Sequence, residues 1–553
     1  MAVGALTLVL HSHLPYVLHH GRFPHGSEWL CEAVAECYLP LLGGIRRLVR
    51  RGLLPRWTLE FSPVLCEQLA QPAFRVLFQQ YCRDKMAAAR DDELHFLRYG
   101  YGEQWVRLAR FWQSWYAARL EEFLEEYRGE ILGAFARLQE LGVLELAGSA
   151  ATHAYLPLLP SEQAVAFQLR VGVETYRRHF RRAPDSFWLP ECGYYPAGDR
   201  TAVPLYGEMA ARMRGVEEWL ARLGVGGFVV EQQLLERAQV WTDAEALSPT
   251  VRLLQPQWCV SSPDAGYGCT VLARYQLLAA RIWDARTGYP GDGDYLDFHK
   301  RHYTSWLRYW RVTDNRLDMQ YKLLYVPEWA EGKARQHAEH FAELVVTTLA
   351  QVRHSTALFP VACLPFDTEL FGHWWFEGPM FLEHLVERLT EAQQVELWTF
   401  RECRQRVGPA ARVRLPAGSW GKDAGHEPWG NPQVWWMWHA VAQAERQLNE
   451  LLRRFPAPRR TPVHDRLFCQ ALRELLLMQA SDWSFLVVTG SARDYAEQRF
   501  TFHAQDFQRL LQLLEQLDER GELRPDGEAF LQALEQRDAL FPELRLHWWE
   551  EPL

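Results

Sequence analysis

The sequence predicts a parallel α/β barrel with helical insertions and a C-terminal all-α domain, on three observations. Short apolar runs alternate with helix-forming stretches. Polar residues of catalytic type stand directly after several of those runs. Beyond about Arg401 the runs stop and only helical patterning remains. In parallel barrels the chemistry gathers at the C-terminal ends of the strands, where these polar residues fall.

The first run, Leu6 to Leu10, leads straight into His11 and His13. It has no basic stretch before it and no small-residue cleavage site after it, so it reads as a buried strand and not as a secretion signal. Trp57 to Phe61 then precedes Ser62, Leu144 to Ala147 precedes Gly148, and Ser186 to Leu189 precedes Glu191. Gly227 to Val230, Thr270 to Ala273, Val361 to Leu364 before Asp367, and Val395 to Trp398 complete the series. Two stretches break the rhythm: residues 74–140, charged and helix-forming, and residues 282–351, read as long and largely helical. The expected division is a catalytic barrel over 1–400 and a helical domain over 401–553. Its clearest helices are Val434 to Arg454, Asp465 to Ala480 and His503 to Arg520.

Composition narrows the function. With 60 Lys and Arg against 69 Asp and Glu, the net charge of -9 gives no reason to expect a nucleic-acid partner. No apolar stretch approaches the roughly 20 residues that span a bilayer. Ten cysteines without CxxC pairs suit reduced thiols and a cytoplasmic setting. Aromatic residues make up 13% of the chain; such rings fill cores and also stack on the apolar faces of sugars.

Two carboxylates stand out. Glu191 sits in WLPECGYYP, between Pro190 and Cys192-Gly193, where a stiff, partly dry turn suits a nucleophile; the competing reading is a loop glutamate capping the next helix. Asp367 and Glu369 sit in PFDTELFGHWW after another strand. Asp367 is nearer the strand end, and Glu369 reads as a residue that holds a neighbour or caps the next segment. A retaining glycosidase needs two carboxyls about 5–5.5 Å apart, one to attack and one to protonate the leaving oxygen. His11, His13 and His153 read either as metal ligands or as hydrogen-bonding groups for sugar hydroxyls, and spacing alone leaves both open. The stretch from Gly418 to Asn431 is glycine-rich and aromatic, lacks a phosphate-loop signature, and fits a loop over a cleft.

Taken together, HSHLPY, GSAATHAYLP, WLPECGYYP, PFDTELFGHWW, WGKDAGHEPW and Ala480-Ser481-Asp482-Trp483 come in the order seen in glycoside hydrolase family 57, and the chain most resembles its 1,4-α-glucan branching enzymes. The resemblance implies a (β/α)7 barrel, a helical insertion and a C-terminal helical domain closing one side of the cleft. It implies Glu191 as nucleophile and Asp367 as general acid/base, with no metal and no cofactor. His11, His13 and His153 would line the donor-sugar site, with Arg274, Gly291, Trp420 and Asp482 touching substrate. Trp29, Trp283 and Trp429 would wall the groove, and the partner would be an α-glucan. The chain departs from the pattern in three places. No tyrosine lies between Gln232 and Asp264, where branching members carry one on a loop that shields the intermediate from water; Phe23 replaces a usual Trp; and Ser491 replaces a longer amide. The alternatives are a 4-α-glucanotransferase or α-amylase of the same family and, more remotely, a metal-dependent deacetylase built on His11 and His13 or a non-catalytic glucan-binding protein.

Overall fold

The structure, a computed structural model, describes residues 2–198, 213–241, 247–284, 287–517 and 521–551. Its centre is a ring of parallel strands: β1 (Gly4–Ser12), β2 (Thr58–Phe61), β3 (Glu145–Ser149), β4 (Ser186–Trp188), β5 (Gly227–Val230), β6 (Cys269–Ala273) and β7 (Val361–Asp367). Each pairs in parallel with the next from β1 to β6. A bridge between Arg274 and Cys363 carries β6 to β7, and β7 lies along β1 from Ala5↔Val361 to His11↔Asp367, which closes the (β/α)7 barrel. The strand β8 (Val395–Leu397) lies outside this ring, beside Gly4 to Leu6 of β1.

All nine residues of β1 are buried. A strand covered by the barrel lumen on one side and helices on the other reads as a nearly unbroken apolar run, so GALTLVLHS shows no alternation. Register then does chemical work: His11 lies level with Glu60 of β2 and Asp367 of β7, so three polar side chains share one layer at the strand ends. The helix Glu162–Phe180 lies close over β3. A Cβ on its Gly172 would stand 2.0 Å from the Ser149 carbonyl oxygen, so only glycine allows this approach.

The first insertion is a pair of long helices, Pro72–Tyr99 and Glu103–Glu121, joined at Gly100, whose φ of 67° ends the first in a left-handed cap. Residues 282–351 differ from their sequence reading. Helix occupies Pro327–Ser355, whereas residues 287–326 run as loop with short 3-10 turns. That loop is rich in glycine and aspartate, and carboxylates such as Asp297, which accepts from the backbone of His299 and Lys300, replace helical bonding. The region after Arg401 is also not purely helical. A short strand, Arg412–Arg414, pairs with Gln257–Cys259 and leads the glycine-rich loop back to the barrel mouth. Beyond it stand Trp435–Arg454, Pro462–Met478, Ser481–Thr489, Arg493–Glu515 and Pro525–Arg537. No helix among the described residues is long and apolar enough to cross a membrane.

The helical part is fastened to the barrel by buried polar contacts. Ala480 bridges Ala154, the Tyr16 hydroxyl donates to the Arg537 carbonyl at 2.7 Å, and His20 Nε2 meets Asp538 Oδ1 at 2.6 Å.

Candidate active site

Glu191 follows β4 on a turn that the backbone adopts only under constraint: its φ is 60°, and Cys192 follows at 50°. A left-handed non-glycine residue costs about 1–2 kcal/mol and persists where its surroundings over-determine it. Here the Cys192 N–H donates to the Leu189 carbonyl and the Trp420 N–H donates to the Glu191 carbonyl. Gly193 must be glycine, since a Cβ would stand 2.8 Å from the Tyr155 ring and 2.9 Å from the Pro190 carbonyl oxygen. The Glu191 side chain is then fixed at both oxygens: the Trp420 indole N–H donates to Oε2 at 2.8 Å, and Ser481 Oγ lies 3.5 Å from Oε1. The glycine-rich loop thus serves the carboxylate directly, through the bridge between Tyr194 and Gly418 that precedes Trp420.

Burial pushes the Glu191 carboxyl up to about 7, against the Trp420 hydrogen bond and with help from the Asp482 charge. Asp367, at the end of β7, is held well above the ordinary aspartate range by burial and then by the charges of Glu369 and Glu191, with Arg274 opposing. Both side chains remain partly open at the barrel mouth. Arg274, just after β6, is paired with Glu231, just after β5, at 2.8 Å.

The imidazoles form a stack. The rings of His13 and His153 lie 3.9 Å apart, His11 and His153 4.7 Å, and His11 and Trp188 4.8 Å, all within 17° of parallel. His13 donates or accepts through Nδ1 with Ser62 at 2.8 Å and through Nε2 with Asp482 at 3.0 Å; His153 Nδ1 bonds Ser481 at 2.8 Å. His11 Nδ1 is hydrogen-bonded to Glu60. Burial holds His11 and His153 well below their ordinary range, so both are neutral. His13, His153 and Asp482 bring ligand-type atoms within 4.8 Å of one another. They do not fit a metal, because a metal binds in the plane of an imidazole ring and the planes of two parallel rings 3.9 Å apart share no such point. A hydrogen-bonding wall fits these three residues.

The aromatic candidates separate. Trp283 is 41% exposed and stacks near Trp420 at 6.3 Å, so an open indole stands beside the Glu191 turn. Trp29 is half-buried and packs on Tyr495 and His25. Trp429 is buried, stacked on Tyr155 at 4.6 Å, and supports the site from behind. Gly291 lies in the turn Tyr289–Gly291, whose Tyr289 packs against His337 and Phe381. Phe23 is exposed and meets Trp306 edge-on at 5.0 Å. Of the stretch from Gln232 to Asp264, where the shielding tyrosine was expected, residues 242–246 lie outside the described residues.

Sequence reasoning missed Glu60, Ser62, Glu231 and Ser481 as structural partners. Glu60 and Glu231 had a signal, a charge inside or directly after a barrel strand; Ser62 and Ser481 are ordinary until the strands are paired.

A closed seven-stranded barrel with two partly open acidic side chains at its mouth is the framework of a glycoside hydrolase. The model for glycosyl hydrolase family 57 matches residues 7–416, and this chain belongs to that family. Residues 440–549 match the model for the C-terminal region of 1,4-alpha-glucan branching enzyme. The chain is 36% identical over 543 residues to a 1,4-alpha-glucan branching enzyme of Thermococcus kodakarensis, covering 97% of this chain and 77% of that one. It superposes with a TM-score of 0.88 on the GH57-type branching enzyme of Pyrococcus horikoshii, at 35% identity over 100% and 98% of the two chains. It also superposes with a TM-score of 0.82 on the alpha-amylase AmyC of Thermotoga maritima, at 26% identity over 100% and 99%.

Proposed function

We propose that this chain is a retaining α-glucan branching enzyme, with Glu191 as nucleophile and Asp367 as general acid/base. The observation that carries the assignment is the Glu191 turn: a carboxylate held in a strained conformation and hydrogen-bonded to Trp420, beside an aspartate that keeps its proton.

In the first step Glu191 attacks the anomeric carbon of an α-1,4 bond, the C1–O4 bond breaks, and Asp367 gives its proton to O4 of the departing chain. The sugar is left β-linked to Glu191. In the second step the Asp367 carboxylate takes the proton of an acceptor 6-hydroxyl, whose oxygen attacks C1 and releases Glu191. The new α-1,6 bond restores the original anomeric configuration. In this reading His13, His153 and Asp482 receive hydroxyls of the donor sugar, supported by a His153 Nε2 without a hydrogen-bond partner among the described residues, and Trp283 offers an open face to a pyranose ring. Ten free thiols suit the reducing cytoplasmic setting that a glycogen-building enzyme needs.

One feature favours a second outcome at the same site. With no tyrosine between Gln232 and Asp264, water has less to keep it from the intermediate, and a larger hydrolytic share follows. Amylose incubated with the enzyme and followed by proton NMR separates the two. New α-1,6 anomeric signals support branching; their absence, with rising reducing ends, makes the chain an amylase.

A further inference from the structure

The carboxyl two residues beyond Asp367 has no part in the two-step scheme, yet it is the most carefully held acid at the barrel mouth. Glu369 is buried, and its Oε1 accepts from the Tyr38 hydroxyl and, at 3.2 Å, from the His13 backbone N–H. The His13 N–H can only donate and the Tyr38 hydroxyl donates as well, an arrangement that favours the carboxylate form over the neutral acid. Tyr38 reaches it from a π-helical turn, Val34–Tyr38, set between the helices Ser27–Ala33 and Leu39–Arg50. Such turns recur where a helix is re-aimed for function. This one also directs Cys37 Sγ to the Thr368 carbonyl at 3.0 Å and Glu36 to His373 and Arg308. Its backbone packs against Gly372, where a Cβ would lie 2.0 Å from the Glu36 carbonyl oxygen. Ser12 Oγ donates to Thr368 at 2.8 Å, so the whole segment from Asp367 to Gly372 is clamped between β1 and the π-turn.

Building on the assignment of Asp367 as acid/base, we propose that Glu369 is a positioning residue: a fixed carboxylate, held by Tyr38 and the His13 N–H, that assigns the proton of the strand-end pair to Asp367. Asp367 feels the charge of Glu369 two residues on, and of two interacting carboxyls the one with better hydrogen-bond donors takes the charge. Asp367 faces Glu369, Glu191 and Arg274; Glu369 faces Tyr38, His13, Cys37 and Glu60. Burial raises both carboxyls, Glu369 to about 7 against the Tyr38 and backbone bonds and Asp367 well above its ordinary range with the Glu369 charge contributing, and the hydrogen bonds that favour a charge lie on Glu369.

The test is the pH profile of kcat/KM on amylose for Glu369→Gln, Glu369→Asp and Asp367→Asn. Removing the charge in Glu369→Gln is expected to move the alkaline limb to lower pH by about 1 unit, because a neighbouring like charge shifts a carboxyl on that scale. Glu369→Asp keeps the charge and is expected to return the limb toward its original place even where the rate stays low. A structural role alone would lower activity at every pH and leave the limb where it was; that result overturns the proposal. Should the Gln variant not fold, Tyr38→Phe serves: with one donor gone the proton moves toward Glu369, and kcat is expected to fall several-fold with KM unchanged, an unaltered kcat counting against the proposal. Asp367→Asn separates the two levels. If it keeps wild-type activity and limb, the acid/base assignment itself fails; if it is inactive while Glu369→Gln keeps the limb, only the role of Glu369 fails.

Discussion

Glu191 and Trp420 show how a single side chain is tuned. Burial raises the nucleophile's pKa and the indole N–H lowers it, leaving the carboxyl at about 7. On the proposed assignment Glu191 must be ionised to attack, so the acid limb of the rate profile is expected near that value, with the alkaline limb set by Asp367. Trp420→Phe removes the donor but keeps a ring. With a bond to the charged form lost, the Glu191 pKa rises, and the acid limb is expected to move to higher pH by about 1 unit in kcat/KM on amylose. Glu191→Gln removes the attacking oxygen and is expected to lower kcat by about 10^4-fold or more in a chain whose unfolding midpoint is unchanged, read by reducing-end release.

At the scale of elements, close approach matters as much as apolar content. Gly172→Ala would drive a methyl group into the Ser149 carbonyl, so the helix Glu162–Phe180 must lift from β3. The expected cost is about 1–3 kcal/mol, measured as a lowered urea midpoint by tryptophan fluorescence. The strands themselves were legible, because parallel barrel strands are continuous apolar runs: Leu6 to Leu10 lies within β1, Val361 to Leu364 begins β7, and Glu191 follows β4. The strand-end placement of Glu191 and Asp367 was legible for the same reason. Residues 287–326 were not, because their aspartates accept from nearby backbone N–H groups and hold a loop, although long aromatic and basic side chains separate the glycines and aspartates that signal one. Nor was the strand Arg412–Arg414, three residues whose partner lies more than 150 positions earlier. The pairing of His11 with Glu60, or of Tyr38 with Glu369, depends on register across the barrel, and a buried charge looks in sequence like an exposed one.

For the whole molecule, the site is assembled only when the helical C-terminal region docks, since Ser481 and Asp482 complete the wall around His13, His153 and Glu191. A buried latch secures that docking. Asp538, in contact with His20 and Arg537, is held well below the ordinary aspartate range, against the cost of burial, by the His20 bond and neighbouring positive charge. Its contribution is therefore present above about pH 4 and is lost as pH falls below the unfolded value. Asp538→Ala takes the partner of His20 and leaves Arg537 with Asp506 alone, and the expected loss is about 3 kcal/mol, seen as a lower urea midpoint at neutral pH, with the difference from wild type shrinking in acid. The most direct test of the account asks which side chain carries the glucan. With Asp367→Asn and α-maltosyl fluoride, whose leaving group needs little protonation, the first step proceeds and the second lacks its base. Peptide mass mapping is expected to find a maltosyl ester on Glu191. An adduct on Glu369 or Asp482, or rapid turnover of the fluoride by Glu191→Gln, would contradict it.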